Sequence, residues 1–253
     1  MAFLPLNMMI AFISLIMLAG NLMSETFPTD CNVPPSVWCS SQEIADKCKV
    51  LNQCAAWKSR NQLVNFTLYY EALCPDCQNF IIKQLFPTFI KLKSIINLGL
   101  VPYGNAYEQK DGKSWKFTCQ HGAEECSVNI LETCAIHVLE DPNIYVKFIY
   151  DLETCMFKIQ KPEKCVKMVM KHISKRDNLI ACANGTTGIY LEHQMALKTN
   201  ALPLPPMYVP WVTLNGVHSE HIQRKAENNL TDLICETYQG KDKEKYCPGR
   251  VIS

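Results

Sequence analysis

The chain predicts an α/β fold in which a βαβ half and a ββα half are separated by a helical, disulfide-rich insertion. Three observations carry this expectation. First, Leu63-Val64-Asn65-Phe66-Thr67-Leu68-Tyr69-Tyr70 is a β-rich run, and it leads through Cys74-Pro75-Asp76-Cys77 into an amphipathic stretch. Second, residues 123–200 carry mostly helical periodicity studded with cysteines. Third, strand signal returns at Tyr208-Val209-Pro210-Trp211-Val212-Thr213-Leu214, followed by Asn215-Gly216 and a last amphipathic helix.

Taken in order, residues 1–24 are expected to be a signal peptide. Met8 to Leu18 is an apolar run too short to span a bilayer comfortably, and Ala19, Gly20 and Ser24 offer small residues for cleavage. No Lys or Arg precedes the run, so an uncleaved anchor is the competing reading. No later segment is long and apolar enough to cross a membrane, and no stable insertion is expected after signal removal.

Cys31, Cys39, Cys48 and Cys54 cluster next. The Pro34-Pro35-Ser36-Val37-Trp38-Cys39 core, Glu43-Ile44-Ala45-Asp46-Lys47-Cys48 and Gln53-Cys54 resemble the saposin A-type module, a disulfide-tied unit at the ends of saposin precursors. It is expected to span 31–57 as a pro-region. So small a piece buries little core and needs its disulfides; a stapled segment without binding activity is the bland alternative. Lys58-Ser59-Arg60-Asn61-Gln62 reads as a polar linker and a candidate processing site.

The main domain is expected over 62–240, with a C-terminal tail at 241–253. Its helix from 78 to 93 places Phe80, Ile81, Leu85, Phe89, Ile90 and Leu92 on one face, and Pro87 predicts a kink near Leu85. Ile95-Ile96-Asn97-Leu98-Gly99-Leu100-Val101-Pro102 is the second strand, parallel to the first through a right-handed crossover. The helical insertion breaks at Asp141-Pro142, Lys161-Pro162 and Gly185, and the final helix is expected near Gln223–Thr237. This order is that of a thioredoxin-like fold with a helical domain inserted in its middle.

In that frame Cys74 and Cys77 stand at a strand-to-helix turn, the arrangement of a thiol–disulfide exchange site. The helix start favours thiolate on Cys74, the expected attacking sulfur, with Cys77 resolving the mixed disulfide. An ordinary thiol with a pKa of about 8.5 is only about three parts in ten thousand thiolate at pH ~5, so a depressed Cys74 pKa is expected. Pro75 and Asp76 occupy the positions that tune redox poise, and the Asp76 carboxylate opposes a thiolate unless it is protonated or turned away. Pro210 is expected to be cis and to face the pair, with Val209 offering backbone groups to an extended substrate. A trans edge-strand proline is the competing reading.

Composition restricts the alternatives. The net charge of +1 and 19% charged residues give no basis for a nucleic-acid partner. Fourteen cysteines and three sequons, at Asn65, Asn184 and Asn229, point to glycosylation in the oxidising secretory pathway. Structural disulfides are expected among Cys31, Cys39, Cys48, Cys54, Cys119, Cys126, Cys134, Cys155, Cys165, Cys182, Cys235 and Cys247, with connectivity open. Cys119, His121, Cys126 and Cys134 could in principle hold zinc, but disulfides are the default in such a chain, and no metal is expected. His121 is expected to be a hydrogen-bonding structural residue, His137, His172, His193, His218 and His221 to lie on solvated faces, and Trp115 and Trp211 to be core or site rim.

The run Cys119-Gln120-His121-Gly122-Ala123-Glu124-Glu125-Cys126, continuing to Asn129 and Cys134, resembles the signature of the gamma-interferon-inducible lysosomal thiol reductase family. Tyr69-Tyr70-Glu71-Ala72-Leu73-Cys74, Val101-Pro102-Tyr103-Gly104-Asn105-Ala106 and Tyr208-Val209-Pro210-Trp211-Val212-Thr213 match the same family in order. The resemblance implies reduction of protein disulfides at acidic pH in endosomes and lysosomes, aiding unfolding and proteolysis, and antigen processing where that applies. It also implies no cofactor, unfolded disulfide-containing proteins as substrates, a small thiol such as cysteine or glutathione as reductant, and routing to the lysosome with secretion as a second destination. A saposin-like lipid-binding or chaperone protein with a structural 74–77 disulfide, and an oxidase or isomerase using the same cysteines, are the alternatives.

Overall fold

The computed structural model describes residues 31, 38–39, 42–58, 63–203, 205–240 and 242–249. The expected signal peptide, Pro34 to Ser36 of the module core and residues 59–62 of the linker lie outside the described residues.

The amino-terminal segment forms two short helices, α1 (Gln42–Lys47) and α2 (Leu51–Lys58). Cys31–Cys48 and Cys39–Cys54 tie it, and Trp38, Ala45, Val50 and Cys54 join the core of the main domain. Each loop closes about 15 residues, a length for which a crosslink contributes about 3 kcal/mol by removing unfolded-chain entropy.

Strand β1 (Val64–Tyr70) is the centre of a three-stranded sheet, ordered β2-β1-β5. Strand β2 (Ile96–Pro102) pairs with it in parallel, Val64 opposite Ile96 through Tyr70 opposite Pro102. Strand β5 (Trp211–Leu214) pairs antiparallel, Phe66 opposite Leu214 through Tyr69 opposite Trp211. Alternation along β1 supplies both faces: Phe66, Leu68 and Tyr70 enter the main core, while Tyr69 joins Val101, Tyr103, Met195 and Trp211 on the other side.

The helix after β1 has three parts: α3 (Pro75–Phe80), a π-helical turn at Ile81–Leu85, and α4 (Phe86–Leu92). In place of a simple kink, the widened turn lets the Phe86 N–H reach the Ile81 carbonyl, immediately before Pro87, which has no N–H to give. Phe80, Ile81, Leu85, Phe89 and Leu92 are buried as the periodicity requires. Ile90 is not; it is 52% exposed, because it falls on the outer flank of the helix after the π turn shifts the register.

Between the halves lie a hairpin, β3 (Tyr107–Asp111) and β4 (Ser114–Thr118), and the helices α5 (Ala123–Leu139), α6 (Pro142–Ile159), α7 (Pro162–Val169), α8 (Arg176–Ala183) and α9 (Thr186–Asn200). Breaks fall at Pro142, Pro162 and Gly185, where sequence places them. Cys134–Cys182 joins α5 to α8, Cys155–Cys165 joins α6 to α7, and Cys119–Cys126 fastens the start of α5. Helix α6 packs on α3, and α9 covers the opposite face near β2 and β4.

The closing half differs from ββα. Asn215 and Gly216 both take positive φ, as a two-residue hairpin turn demands, but the returning chain makes only a bridge between Val217 and Leu214. Ser219 then caps α10 (Glu220–Thr237), its Oγ accepting from the Ile222 N–H, so no room remains for a full strand. The expected tail from 241 is likewise part of the fold up to α11 (Lys243–Tyr246), since Cys247 is bonded to Cys235 on α10.

Buried acids set a pH dependence. Glu132, Glu153 and Glu192 are at most 1% exposed; Tyr70 Oη donates to Glu132 at 2.7 Å, Thr133 Oγ1 donates to Glu192 at 2.8 Å, and Glu153 lies against Glu132. Burial raises all three carboxyls, Glu132 to about 7. A carboxyl that keeps its proton longer in the fold than in the unfolded chain stabilises most in acid. The Glu132 contribution is complete below its ordinary value of 4.5 and is lost as pH rises through about 7. The thermal midpoint is therefore expected to be higher at pH ~5 than at pH ~7.5, by at least a few degrees, and Glu132→Gln should flatten that slope. An unchanged slope in the variant would remove the buried-acid explanation.

Candidate active site

The chain leaves β1 at Tyr70 and turns into α3 across Glu71, Ala72 and Leu73. Two side chains brace this turn: Asn129 Oδ1 accepts from the Ala72 N–H at 3.0 Å, and Gln78 Nε2 donates to the Ala72 carbonyl at 2.9 Å. Cys74 is the helix cap, in extended backbone conformation, with its N–H on the Glu71 carbonyl at 3.3 Å and its Sγ accepting from the Cys77 N–H at 3.4 Å. Pro75 follows in the first turn, where a missing N–H costs nothing. Cys74 and Cys77 are both free thiols; Cys77 is fully buried, whereas Cys74 keeps 7% exposure.

Opposite the pair, the Val209–Pro210 bond is cis, and the Val209 carbonyl oxygen lies 3.9 Å from Cys74 Sγ. Gln223 on α10 holds this corner from behind. Its Nε2 donates to the Pro210 carbonyl at 2.9 Å, and its Oε1 accepts from the Val212 N–H at 3.1 Å. Trp211 stacks on His218 with ring centroids 3.4 Å apart, and the His218 Nδ1–H donates to the Val212 carbonyl.

The electrostatics divide the two sulfurs. Cys74 is lowered by its hydrogen bond from the Cys77 side chain and by the Cys77 and Asp76 amides, against burial and the Glu71 carboxylate. Cys77 is pushed far up, first by burial and then by the Cys74 sulfur beside it. The opposing carboxylate is thus Glu71. Asp76 is exposed, its carboxylate turned to solvent, and its backbone N–H supports the Cys74 sulfur. Glu71 is itself raised by burial, while its Oε1 accepts from the Asn105 N–H at 2.7 Å. Gly104 permits that close approach: its φ is +58°, and a Cβ there would stand 2.3 Å from Glu71 Cγ.

Residues 65–169 match the family model described as gamma interferon inducible lysosomal thiol reductase. The gamma-interferon-inducible lysosomal thiol reductase of Carassius auratus is 43% identical over 85% of this chain and 84% of its own length. The chain belongs to this family. It is a thiol–disulfide oxidoreductase of the lysosomal thiol reductase kind. The Mus musculus reductase is 36% identical over 73% of this chain and 71% of its own, and the gamma-interferon-responsive lysosomal thiol protein of Arabidopsis thaliana 39% identical over 70% and 72%. Among solved structures, reduced DsbA1 from Neisseria meningitidis aligns with a TM-score of 0.45 at 13% identity, over 72% of this chain and 87% of its own.

In this reductase the signature run is scaffold around the sulfurs. Cys119, Cys126 and Cys134 are all in disulfides, which removes them as zinc ligands. His121 hydrogen-bonds Glu125 and lies 3.4 Å from Glu71. Asn184 and Asn229 are exposed, while Asn65 is half-buried on β1, its Oδ1 accepting from Asn97 Nδ2 at 2.7 Å. Three histidines depart from the expected solvated faces, His221 on α10 being half-buried. His218 is 9% exposed beneath Trp211, and His193 stacks on Trp115 while bonding Glu108 at 2.8 Å. Glu71, Glu125 and Gln223 went unread as site residues. Glu71 and Glu125 stood inside the quoted motifs, but Gln223 had no local signal, since it acts across the fold.

Alkylation of reduced protein by a neutral thiol reagent is expected to follow a Cys74 titration with its midpoint below the ordinary value of about 8.5, with Cys77 unreactive over the same range. A midpoint at or above that value would contradict the arrangement of amides around Cys74 Sγ.

Proposed function

We propose that this chain reduces disulfides of unfolded proteins in the acidic lysosome, with Cys74 as attacking sulfur and Cys77 as resolving sulfur. The Cys74 thiolate displaces one sulfur of the substrate disulfide, forming a Cys74–substrate mixed disulfide and releasing the first substrate thiol. Cys77 loses its proton and attacks Cys74 Sγ, releasing the second substrate thiol and leaving Cys74–Cys77 oxidised. Two equivalents of a small thiol, cysteine or glutathione in class, then return the pair to the dithiol and leave as their own disulfide.

The observation that carries this reading is the placement of Cys74 Sγ between the Cys77 N–H and the Val209 carbonyl at the cis-proline corner. Val209 would offer its backbone to an extended substrate chain, bringing a substrate sulfur in line with Cys74. Burial first and then the Cys74 sulfur hold Cys77 high while Cys74 is lowered, so Cys74 is the thiol that ionises first. Stability that grows toward acid, from the buried carboxyls, fits work in a lysosome. The exposed positions of Pro75 and Asp76 leave them free to set redox poise without disturbing the core. Exposed Asn184 and Asn229 are the sequons most open to glycosylation. Among the described residues no helix is long and apolar enough to cross a membrane.

The test is reduction of a denatured, disulfide-containing protein at pH ~5 with cysteine as reductant. Cys74→Ser is expected to fall to background, whereas Gln223→Ala, which frees the cis-proline corner, should lose about tenfold in kcat/KM for protein substrate with Cys74 alkylation retained. Undiminished turnover by Cys74→Ser would end this assignment.

A further inference from the structure

Beside the redox pair two fully buried carboxylates, Glu71 and Glu125, converge on one partly exposed imidazole, His121. Each carboxylate commits one oxygen to a backbone amide: Glu71 Oε1 accepts from the Asn105 N–H at 2.7 Å, and Glu125 Oε1 accepts from the His121 N–H at 3.1 Å. The other oxygens turn to the same point. His121 Nδ1 lies 2.5 Å from Glu125 Oε2 and 3.4 Å from Glu71 Oε2, and one ligand atom from each residue falls within 4.8 Å of the others. Glu71 Oε2 accepts no hydrogen bond at all, although it is buried. The three residues are anchored on separate elements, the β1–α3 turn, the loop before α5 and α5 itself, so the cluster is held by the fold.

We infer that Glu71, His121 and Glu125 form a binding site for a divalent transition-metal cation of the zinc class. Two carboxylates against one imidazole leave negative charge uncompensated in a buried place, and a divalent ion balances it. One nitrogen and two oxygens suit zinc, for which three protein ligands and an open fourth position are a common set. Calcium and magnesium would want six or more oxygens, which this cluster does not offer. The amides on Oε1 of each carboxylate are the outer contacts that fix ligand orientation in such sites. His121, with a side chain 36% exposed, gives the ion its way in. The proposed site departs from the expectation of no metal, and it uses none of the atoms that exchange disulfides.

The experiment is calorimetric titration of zinc into the full chain carrying Cys74→Ser and Cys77→Ser, so that no free thiol competes, at pH ~7.5 where imidazole is available. One saturable equivalent is expected, weakened by more than about tenfold in the same background by His121→Ala and again by Glu125→Gln. No saturable binding in the parent, or equal affinity after His121→Ala, would overturn the site. Should a variant fold poorly, histidine NMR of the parent decides: zinc is expected to move the His121 ring signals first, and early movement of another histidine instead would count against it.

Discussion

A sulfur suspended between opposed backbone groups is the constraint on which the rest of this structure depends. Cys74 Sγ receives the Cys77 N–H from the helix start below, and its own proton faces the Val209 carbonyl across the cleft. Neither partner can move freely. The helix start is fixed because Ala72 is held by Asn129 and Gln78, and the cis-proline corner because Gln223 holds Pro210 and Val212 together. Asn129 from the insertion and Gln223 from α10 therefore brace the two sides of the sulfur, the strand-to-helix turn and the cis-proline corner.

The charges around this turn oppose one another. The Cys77 side chain and the amides at the helix start favour the thiolate, while burial and, to a lesser degree, the Glu71 carboxylate disfavour it. His121 moderates that opposition: burial alone would lower it, but the Glu125 hydrogen bond and the Glu125 and Glu71 charges together hold its pKa above the usual value. The same carboxylate cannot simply be dispensed with, because its Oε1 fastens the Asn105 turn after β2. Glu71 is thus foremost a structural tie, and its charge is the least of the influences on Cys74. Deeper in the fold, Glu132, Glu153 and Glu192 are carboxyls that prefer to remain protonated, a choice suited to acid and unsuited to neutral surroundings.

Local signals carried most of the architecture. The β1 run, the amphipathic α3–α4 helix and the breaks at Pro142, Pro162 and Gly185 were legible because each depends on periodicity or on a backbone restriction written in one or two residues. The β3–β4 hairpin escaped, though Asp111-Gly112 marks its turn, because β3 is polar and mostly exposed and the alternation of Trp115 and Phe117 on β4 is only five residues long. The strand expected after Asn215-Gly216 shrank to a bridge because Ser219 begins a helix so soon. At the site the cysteines and Pro210 were readable from chemistry that only those residues supply. Asn129 stood in the signature run without a stated role and Gln223 carried no signal, since their value lies in contacts to Ala72 and Pro210 that only the folded chain creates. His218 and His193 looked like surface residues for the same reason: a ring stacked on a tryptophan leaves no pattern in sequence.

The central claim is that Cys74, and no other cysteine, bonds first to substrate. Trapping measures this directly. Protein carrying Cys77→Ser, mixed at acidic pH with a denatured disulfide-containing protein, should accumulate a mixed disulfide that peptide mass spectrometry locates at Cys74. A mixed disulfide at any other cysteine, or none while the substrate is still reduced, would contradict the account.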